Sequence, residues 1–489
     1  MIHELPTPLP EGRKPRRDDL FECRVTALGR RGGAVAWWGP YVIDLRRGVP
    51  GELLRCQVTR RRAERIRARI LELLEPSASY VAPACAHFAS CGGCSFQDTA
   101  YELQLAETRA RLVDLFAPLR LLGDFPVAPV AHAGSLFHYR NKMDFTFGAK
   151  RWVEEGEEDA GARDFALGLH APGRYDKVLD VGSCEIAFEE TTAILATVRA
   201  LALEMELLPW DLAKHHGLLR HLVLRKGFRT GEILAYLVTS SQAGLEAVPA
   251  FAARLVEACP SITTLVHGVR DAISSVAEGE TEAVLFGPGV IREVLGGVTF
   301  ELSARSFFQT NTLAAEALFE LVAREACPTE DEVVFDLYCG AGSIALLLAP
   351  SCREVWGFEL VEAAVEDAKQ NAASAGFTNV HFVAGDARHT ASEAGLAALG
   401  APRPDVVVVD PPRAGLHPDV TAFLCELAAP RLVYVSCNPK AAVGDLRALI
   451  ACGYRILCAA PVDLFPHTPH VECVFTLERA PSEVTDGGA

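Results

Sequence analysis

The chain lacks any run of ~18 apolar residues, the length a membrane-spanning helix requires, and it does not open on a basic-then-apolar secretory segment. These absences argue against a spanning or exported protein, so the expectation is a cytoplasmic chain with no membrane partner. No internal repeat is visible. Positive charge is also short: 47 Lys and Arg against 63 Asp and Glu leave a net −16. A surface coated uniformly for nucleic acid is therefore excluded. In a reducing compartment the 15 cysteines should be reduced, metal-bound or catalytic rather than paired.

What is present is length and apolar residues. The 489 residues, half of them hydrophobic, suffice for roughly three domains of ~150 residues each. Charge is unevenly spread. Residues 1–75 hold 16 Lys/Arg and 10 Asp/Glu, a local +6, which leaves −22 on the remainder. A basic module attached to an acidic body follows, and nucleic acid is the partner such a module suits.

Residues 1–17 read as a loose, Pro-rich arm. Five β-like runs follow within about 55 residues: Phe21–Ala27, Ala34–Trp38, Tyr41–Asp44, Leu53–Thr59 and Ile66–Leu73. Separated by Gly turns, they predict a small barrel of OB type over residues 15–75. Its arginines interleave with Trp37, Trp38 and Tyr41, a mixture suited to phosphate contact and base stacking. The stretch resembles a TRAM domain, a small RNA-binding barrel. Residues 76–300 read as a mixed α/β domain that opens with cysteines and a helical pattern over Gln97–Phe116. Strands follow at Asp144–Phe147, His221–Arg225 and Ile233–Thr239. Glu154–Arg163 reads as a solvated acidic loop, and the tail from Ala480 as disordered.

From Glu301 the pattern becomes β alternating with α. Strands at Val333–Tyr338, Glu354–Glu359, His381–Ala384, Asp405–Asp410 and Leu432–Ser436 predict a largely parallel, doubly wound sheet over 301–480. Two more, Arg455–Pro461 and Cys473–Leu477, have no helix between them, which predicts an antiparallel edge strand.

In such a sheet, ligands collect beyond the carboxyl ends of the strands. Five pieces of sequence fall there. VVFDLYCGAG is a buried strand followed by Gly340 and Gly342, which allow a tight turn and close approach to a ligand. Glu359 ends the next strand, 19 residues after Gly340, the spacing of a carboxylate that accepts from ribose hydroxyls. Asp386 in VAGDA stands where a carboxylate meets an adenine amine. Asp410 opens DPPR after the fourth strand. The full GxGxxG pattern is missing because residue 345 is Ala. With no pyrophosphate to cradle, the pocket suits an adenosine ligand such as S-adenosylmethionine rather than NAD. The bland alternative is a nucleotide-free α/β domain.

The fifth piece is LVYVSCNP. Cys437 sits where the strand stops, either as a small buried hydrophobe or as a nucleophile. C5 of uracil is a poor nucleophile, and a thiolate added to C6 generates an enolate whose C5 can accept a methyl group. A base must then remove the C5 proton before the thiolate departs. Cys437 and Glu472, in HTPHVEC, supply these two functions, although an isolated Glu is more often a solvated edge residue. SFFQTN (Ser306–Asn311), FDLYCGAG, DPPRAG (Asp410–Gly415), VSCNP and HVECV together resemble the RNA 5-methyluridine methyltransferases, a family with members acting on 23S rRNA and on the tRNA T-loop. The resemblance spans residues 20–478. It implies a Rossmann-like S-adenosylmethionine-dependent domain with Cys437 as nucleophile and Glu472 as base. Gln309, Tyr338, Ser343, Glu359, Asp386 and Asp410 fall where the family contacts its cofactor; the family often has Asn at the position of Ser343.

Cys85, Cys91 and Cys94 have the spacing C-x5-C-x2-C around Gly92-Gly93. Three thiols this close suggest ligation of zinc or of an iron–sulfur cluster, which spacing alone leaves open. The resemblance implies a 4Fe–4S cluster on these three and on Cys184 in VGSCEI, in a structural role because uridine methylation has no redox step. The barrel and cluster together resemble the 23S rRNA branch more than the compact tRNA enzymes. Two other readings stay open: amino-group methylation of adenine, suggested by DPP alone, and a non-catalytic iron–sulfur RNA-binding protein. A monomer is expected.

Overall fold

The computed structural model describes residues 8–9, 13–153, 164–274, 276–390 and 392–479. The first residues of the arm, the acidic segment Glu154–Arg163 and the tail from Ala480 lie outside the described residues. No helix among them is long and apolar enough to cross a membrane.

Leu20–Leu28, Ala34–Trp38, Tyr41–Leu45, Leu53–Arg62 and Arg65–Glu75 close into a five-stranded OB-like barrel. The third and fifth strands pair in parallel and the other pairs are antiparallel. Strand alternation decides which aromatics face in. Trp38 is 1% exposed and stacks on Phe21 with ring centroids 4.3 Å apart, and Tyr41 is 9% exposed. Both belong to the barrel core, so the expectation that they stack bases is corrected. Trp37, at 48% exposed, is the aromatic of this group that faces outward.

The middle of the chain forms an eight-stranded sheet. Its order is Thr281–Phe286, Thr264–Val269, Ile233–Thr239, Leu219–Lys226, Lys142–Gly148, Ala166–Ala171, Arg174–Asp180 and Arg151–Trp152. Its central strands are buried on both faces. Leu222, Leu224 and Leu237 meet the helices Thr191–Glu204 and Val248–Ala258, while Val223, Tyr236 and Val238 join the core of the C-terminal sheet. Two-sided burial explains why these strands read as continuous apolar runs.

The C-terminal sheet positions the site. Its strands are β1 (Val333–Leu337), β2 (Glu354–Glu359), β3 (Val380–Ala384), β4 (Val406–Val409), β5 (Arg431–Ser436), β6 (Tyr454–Asp463) and β7 (Glu472–Arg479). They lie in the order β3-β2-β1-β4-β5-β7-β6, with the short strand Ala131–His132 beside β6. β1 to β5 are mutually parallel, and β7 runs antiparallel to both β5 and β6. The antiparallel strand is therefore interior rather than at the edge as expected. The chain crosses to β6 first and returns through the gap beside β5.

Alternate residues feed two cores. Val334, Val408, Val433 and Val474 face helix α1 (Thr312–Ala326) and helix α2 (Ser343–Leu348). Phe335, Val407, Leu432 and Phe475 face α4 (Pro418–Leu427) and α5 (Pro439–Ala451), while α3 (Glu362–Ala375) packs near β2 and β3. Each fully buried Val or Leu contributes roughly 1.5–3 kcal/mol relative to exposure. The helix expected over Gln97–Phe116 runs over Tyr101–Arg120, and its Phe116 packs edge-on against Phe475 at 5.1 Å. Although it precedes the middle sheet in sequence, it packs on the C-terminal one.

Caps and prolines set the helix starts. Asn311 caps α1 by accepting from the Ala314 N–H, and Pro418 and Pro439 occupy the first positions of α4 and α5. This places the Cys437–Asn438 turn directly between β5 and α5.

Candidate active site

Every strand-end motif meets at one edge of the C-terminal sheet. After β1 the chain turns sharply: Tyr338 has φ 66° and Gly342 has φ 86°. A Cβ on Gly342 would lie 2.7 Å from the Phe382 ring, so the turn requires glycine. Glu359 at the end of β2 accepts from the Gly340 N–H at 3.1 Å through Oε2 and from the Val361 N–H at 2.9 Å through Oε1. The carboxylate and the glycine turn thus form one unit. Ser343 is half-buried at the first position of α2.

Asp386 follows β3, but Arg388 engages its carboxylate through Nε at 2.9 and 2.8 Å. That hydrogen bonding holds the Asp386 pKa down at about 2. Asp410 follows β4 half-buried, and removal from water pushes its pKa up to about 6. Gln309 belongs to the segment before α1. Asn311 Nδ2 donates to the Leu464 carbonyl at 3.0 Å just beyond β6, which brings Gln309 to the same edge.

Residues from the middle sheet shape that segment, and they carry no motif. Buried Arg225 donates to the carbonyls of Ser303 and Ser306, both at 2.7 Å, and Asn141 Nδ2 donates to the Gln309 carbonyl at 2.8 Å.

The juxtaposition of Cys437 and Glu472 follows from register. Ser436 pairs with Cys473 between antiparallel β5 and β7, so Cys437 and Glu472 are the next two residues across that ladder. Glu472 is only 5% exposed. Desolvation first, then the Asp410 charge, push its pKa up to about 8, with Arg413 opposing them. Desolvation also leads the rise of the Cys437 pKa to about 11, reinforced by Glu472 and Asp410 and opposed by Arg413.

Arg413 was not singled out in the sequence. Its Nη2 lies 3.1 Å from His470 Nδ1, and its carbonyl accepts from Asn438 Nδ2 at 2.8 Å. It ties together the loops after β4, after β5 and before β7. Asp336 was also missed. It is fully buried within β1, with Oδ2 accepting from the Ala345 N–H at 3.0 Å and Oδ1 unpartnered. Burial, then the Asp410 charge, push its pKa well up.

Cys85, Cys91, Cys94 and Cys184 line one cavity of about 570 Å³, together with Arg140 and Phe307. Burial pushes the Cys94 pKa up to about 12, and Cys184, Cys91 and Cys85 each add to the rise, so the four sulfurs share one neighbourhood. Among the described residues, no group of three or more His, Cys, Asp or Glu side chains is arranged to hold a metal ion. One cysteine expectation is corrected. Cys425 on α4 and Cys452 at the end of α5 form a disulfide, because the packed helices bring their Cα atoms to 5.7 Å.

A parallel sheet with one antiparallel insertion and a glycine turn joined to a strand-end carboxylate match one class, the S-adenosylmethionine-dependent methyltransferases. Residues 295–480 match the tRNA (Uracil-5-)-methyltransferase family. An uncharacterized RNA methyltransferase of Chlorobaculum tepidum is 39% identical over 481 residues, covering 95% of this chain and 97% of that one. Another, from Nitratidesulfovibrio vulgaris, is 38% identical over 467 residues, covering 95% and 97%. The crystal structure of the Pyrococcus abyssi tRNA (uracil-54, C5)-methyltransferase in complex with S-adenosyl-L-homocysteine matches with a TM-score of 0.72 at 27% identity, covering 94% of this chain and all of that one. The chain belongs to the RNA methyltransferases of the tRNA (uracil-5-)-methyltransferase family.

Proposed function

We propose that the protein forms 5-methyluridine in RNA through a covalent adduct between Cys437 and C6 of the target uracil. The observation that carries this reading is the β5–β7 register, which sets Cys437 beside the buried carboxyl of Glu472. Cys437 Sγ adds to C6, and the electron pair gained by the ring makes C5 nucleophilic. C5 then takes a methyl group, Glu472 accepts the proton left on C5, and the thiolate departs as the C5–C6 double bond re-forms. A base whose pKa is close to the working pH suits that proton transfer. Burial pushes the pKa of the Cys437 thiol up, so its proton must pass to solvent before the thiolate adds to C6, which leaves Glu472 free to take the C5 proton. Arg413, which lowers the pKa of both reacting groups, is the cation that stabilises the thiolate.

S-adenosylmethionine supplies an electrophilic methyl group. Gln309, Tyr338, Gly340, Gly342, Ser343, Glu359, Asp386 and Asp410 would hold it, and Glu359 beside the Gly340–Gly342 turn fits a ribose. Residues 15–75 would act as a TRAM-type RNA-binding barrel, 76–300 as an iron–sulfur domain and 301–480 as the catalytic domain. An all-sulfur donor set around one cavity suits a 4Fe–4S cluster on Cys85, Cys91, Cys94 and Cys184. The target uridine must leave its stack to reach Cys437, which favours a loop over an A-form helix.

23S rRNA is the proposed substrate. tRNA is the second reading, favoured by the P. abyssi relative, whose activity is on uracil-54 of tRNA. Mapping 5-methyluridine in both RNAs from a deletion strain separates them: one rRNA position should lose the modification. Loss confined to tRNA would move the assignment to the second reading, and no loss in either would refute the activity.

A further inference from the structure

The loop between β6 and β7 delivers Glu472, and much of what holds it comes from outside the C-terminal sheet. The N–H groups of Ser95 and Phe96, the two residues after Cys94, both donate to the His467 carbonyl, at 2.8 and 3.1 Å. Gln104 Nε2 lies 3.3 Å from His467 Nδ1 and donates to the carbonyls of Phe96 at 2.9 Å and Thr99 at 2.7 Å. Phe137 stacks on the His467 ring with centroids 4.7 Å apart, and the Tyr139 hydroxyl donates to the Pro466 carbonyl at 3.1 Å. His467 is 4% exposed and has φ 67°, a left-handed conformation that a histidine keeps only when its surroundings impose it.

We infer that the turn after Cys91 and Cys94 is a clamp on the general-base loop, with Gln104 and His467 as positioning residues for Glu472. The inference rests on the assignment of Cys437 and Glu472 as nucleophile and base. Gln104 staples the end of the cysteine turn to the start of the helix Tyr101–Arg120 and, through His467, to the loop five residues before Glu472. Holding the cysteine turn in place would then act on proton removal from C5, a step that involves no electron transfer. The buried Nε2 of His467 has no hydrogen-bond partner, so its ring is held by packing, by the Phe137 stack, the edge of Tyr101 and the close approach of Gln104 to Nδ1. The loop is thus sensitive to the loss of Gln104.

A clamp and a merely structural contact differ in which step fails. If only the base is displaced, Cys437 still adds and C5 is still methylated, but release slows and the enzyme accumulates on ordinary uridine RNA as a covalent adduct. The test uses the full chain, purified anaerobically, with uridine-containing RNA and S-adenosylmethionine. It reads turnover, the gel-shifted adduct fraction under denaturing conditions and iron per chain. Gln104→Ala should lower turnover about tenfold, or ~1.4 kcal/mol, with a rise in adduct and unchanged iron. His467→Asn, which tolerates the left-handed backbone, should lose less turnover than His467→Ala, and both should accumulate adduct. Glu472→Gln should accumulate it most. Unchanged turnover in Gln104→Ala, or reduced turnover without adduct in either the Gln104 or the His467 variants, overturns the clamp. If Glu472→Gln itself accumulates no adduct, the base assignment fails, and the clamp fails with it.

Discussion

Replacing Glu472 by Gln keeps the shape of the site and removes the proposed base. Glu472 is 5% exposed with a pKa pushed up to about 8, so at pH 7 only about a tenth of the enzyme holds it deprotonated. Where proton removal from C5 limits turnover, the wild-type rate should therefore rise about fivefold between pH 7 and pH 8 and flatten as Glu472 becomes fully ionised. Positioned general bases contribute roughly 10²–10⁴-fold, and turnover by Glu472→Gln should fall by that factor and lose the limb near pH 8. Adduct formation should survive. Above pH 8 it should be faster than in wild type, because the neighbouring negative charge that raises the Cys437 pKa is gone. The assay is quenched-flow methyl transfer from labelled S-adenosylmethionine, paired with denaturing gels of the protein–RNA adduct across pH. A Glu472→Gln enzyme that keeps the wild-type rate and pH limb would refute the reasoning.

Three further outcomes follow from the same structure. The buried Asp336 carboxyl has a folded-state pKa raised above its unfolded value, so the folded state binds the extra proton and stability falls as pH rises from the unfolded toward the folded pKa. Asp336→Asn should flatten that fall in Tm, which sets in above the ordinary aspartate pKa of about 4; parallel profiles would show that the carboxyl is already ionised. The Cys425–Cys452 disulfide predicts two more alkylated thiols after reduction than before. A link between residues 27 apart would stabilise by about 3–4 kcal/mol on chain entropy, and a cysteine count unchanged by reductant would contradict the pairing. Cys91→Ser should lose the brown colour and the iron of anaerobically purified protein, whereas a colourless wild-type protein carrying zinc would refute the cluster.

The strands and the strand-end motifs were legible because their signals are local. β-branched runs such as Val406–Val409 are buried on both faces, and the candidate site residues follow within a residue or two of the strand ends. The period of the barrel strand already separates outward Trp37 from inward Trp38, so that misreading came from composition used where alternation decides. The interior placement of β7 has no local signal. A strand with no preceding helix can lie at an edge or return through a gap, and the choice is made by which neighbour it buries against. Arg225, Asn141, Gln104 and His467 were illegible for a similar reason. Each acts through contacts more than 75 residues away in sequence, as between Arg225 and Ser303 or between Gln104 and His467. Cys425 and Cys452 belong to no motif, and only the packing of α4 on α5 pairs them.

The covalent step can be observed directly. The full-length protein, incubated with S-adenosylmethionine and an RNA substrate in which the target uridine is 5-fluorouridine, should form a complex that survives denaturation, because fluorine at C5 cannot be removed by Glu472 as a proton is. Proteolysis and mass spectrometry of that complex should place the nucleotide on Cys437, and Cys437→Ala should yield no complex. Active enzyme that leaves 5-fluorouridine RNA untrapped, or a nucleotide attached to any other residue, would contradict the assignment of Cys437 as nucleophile.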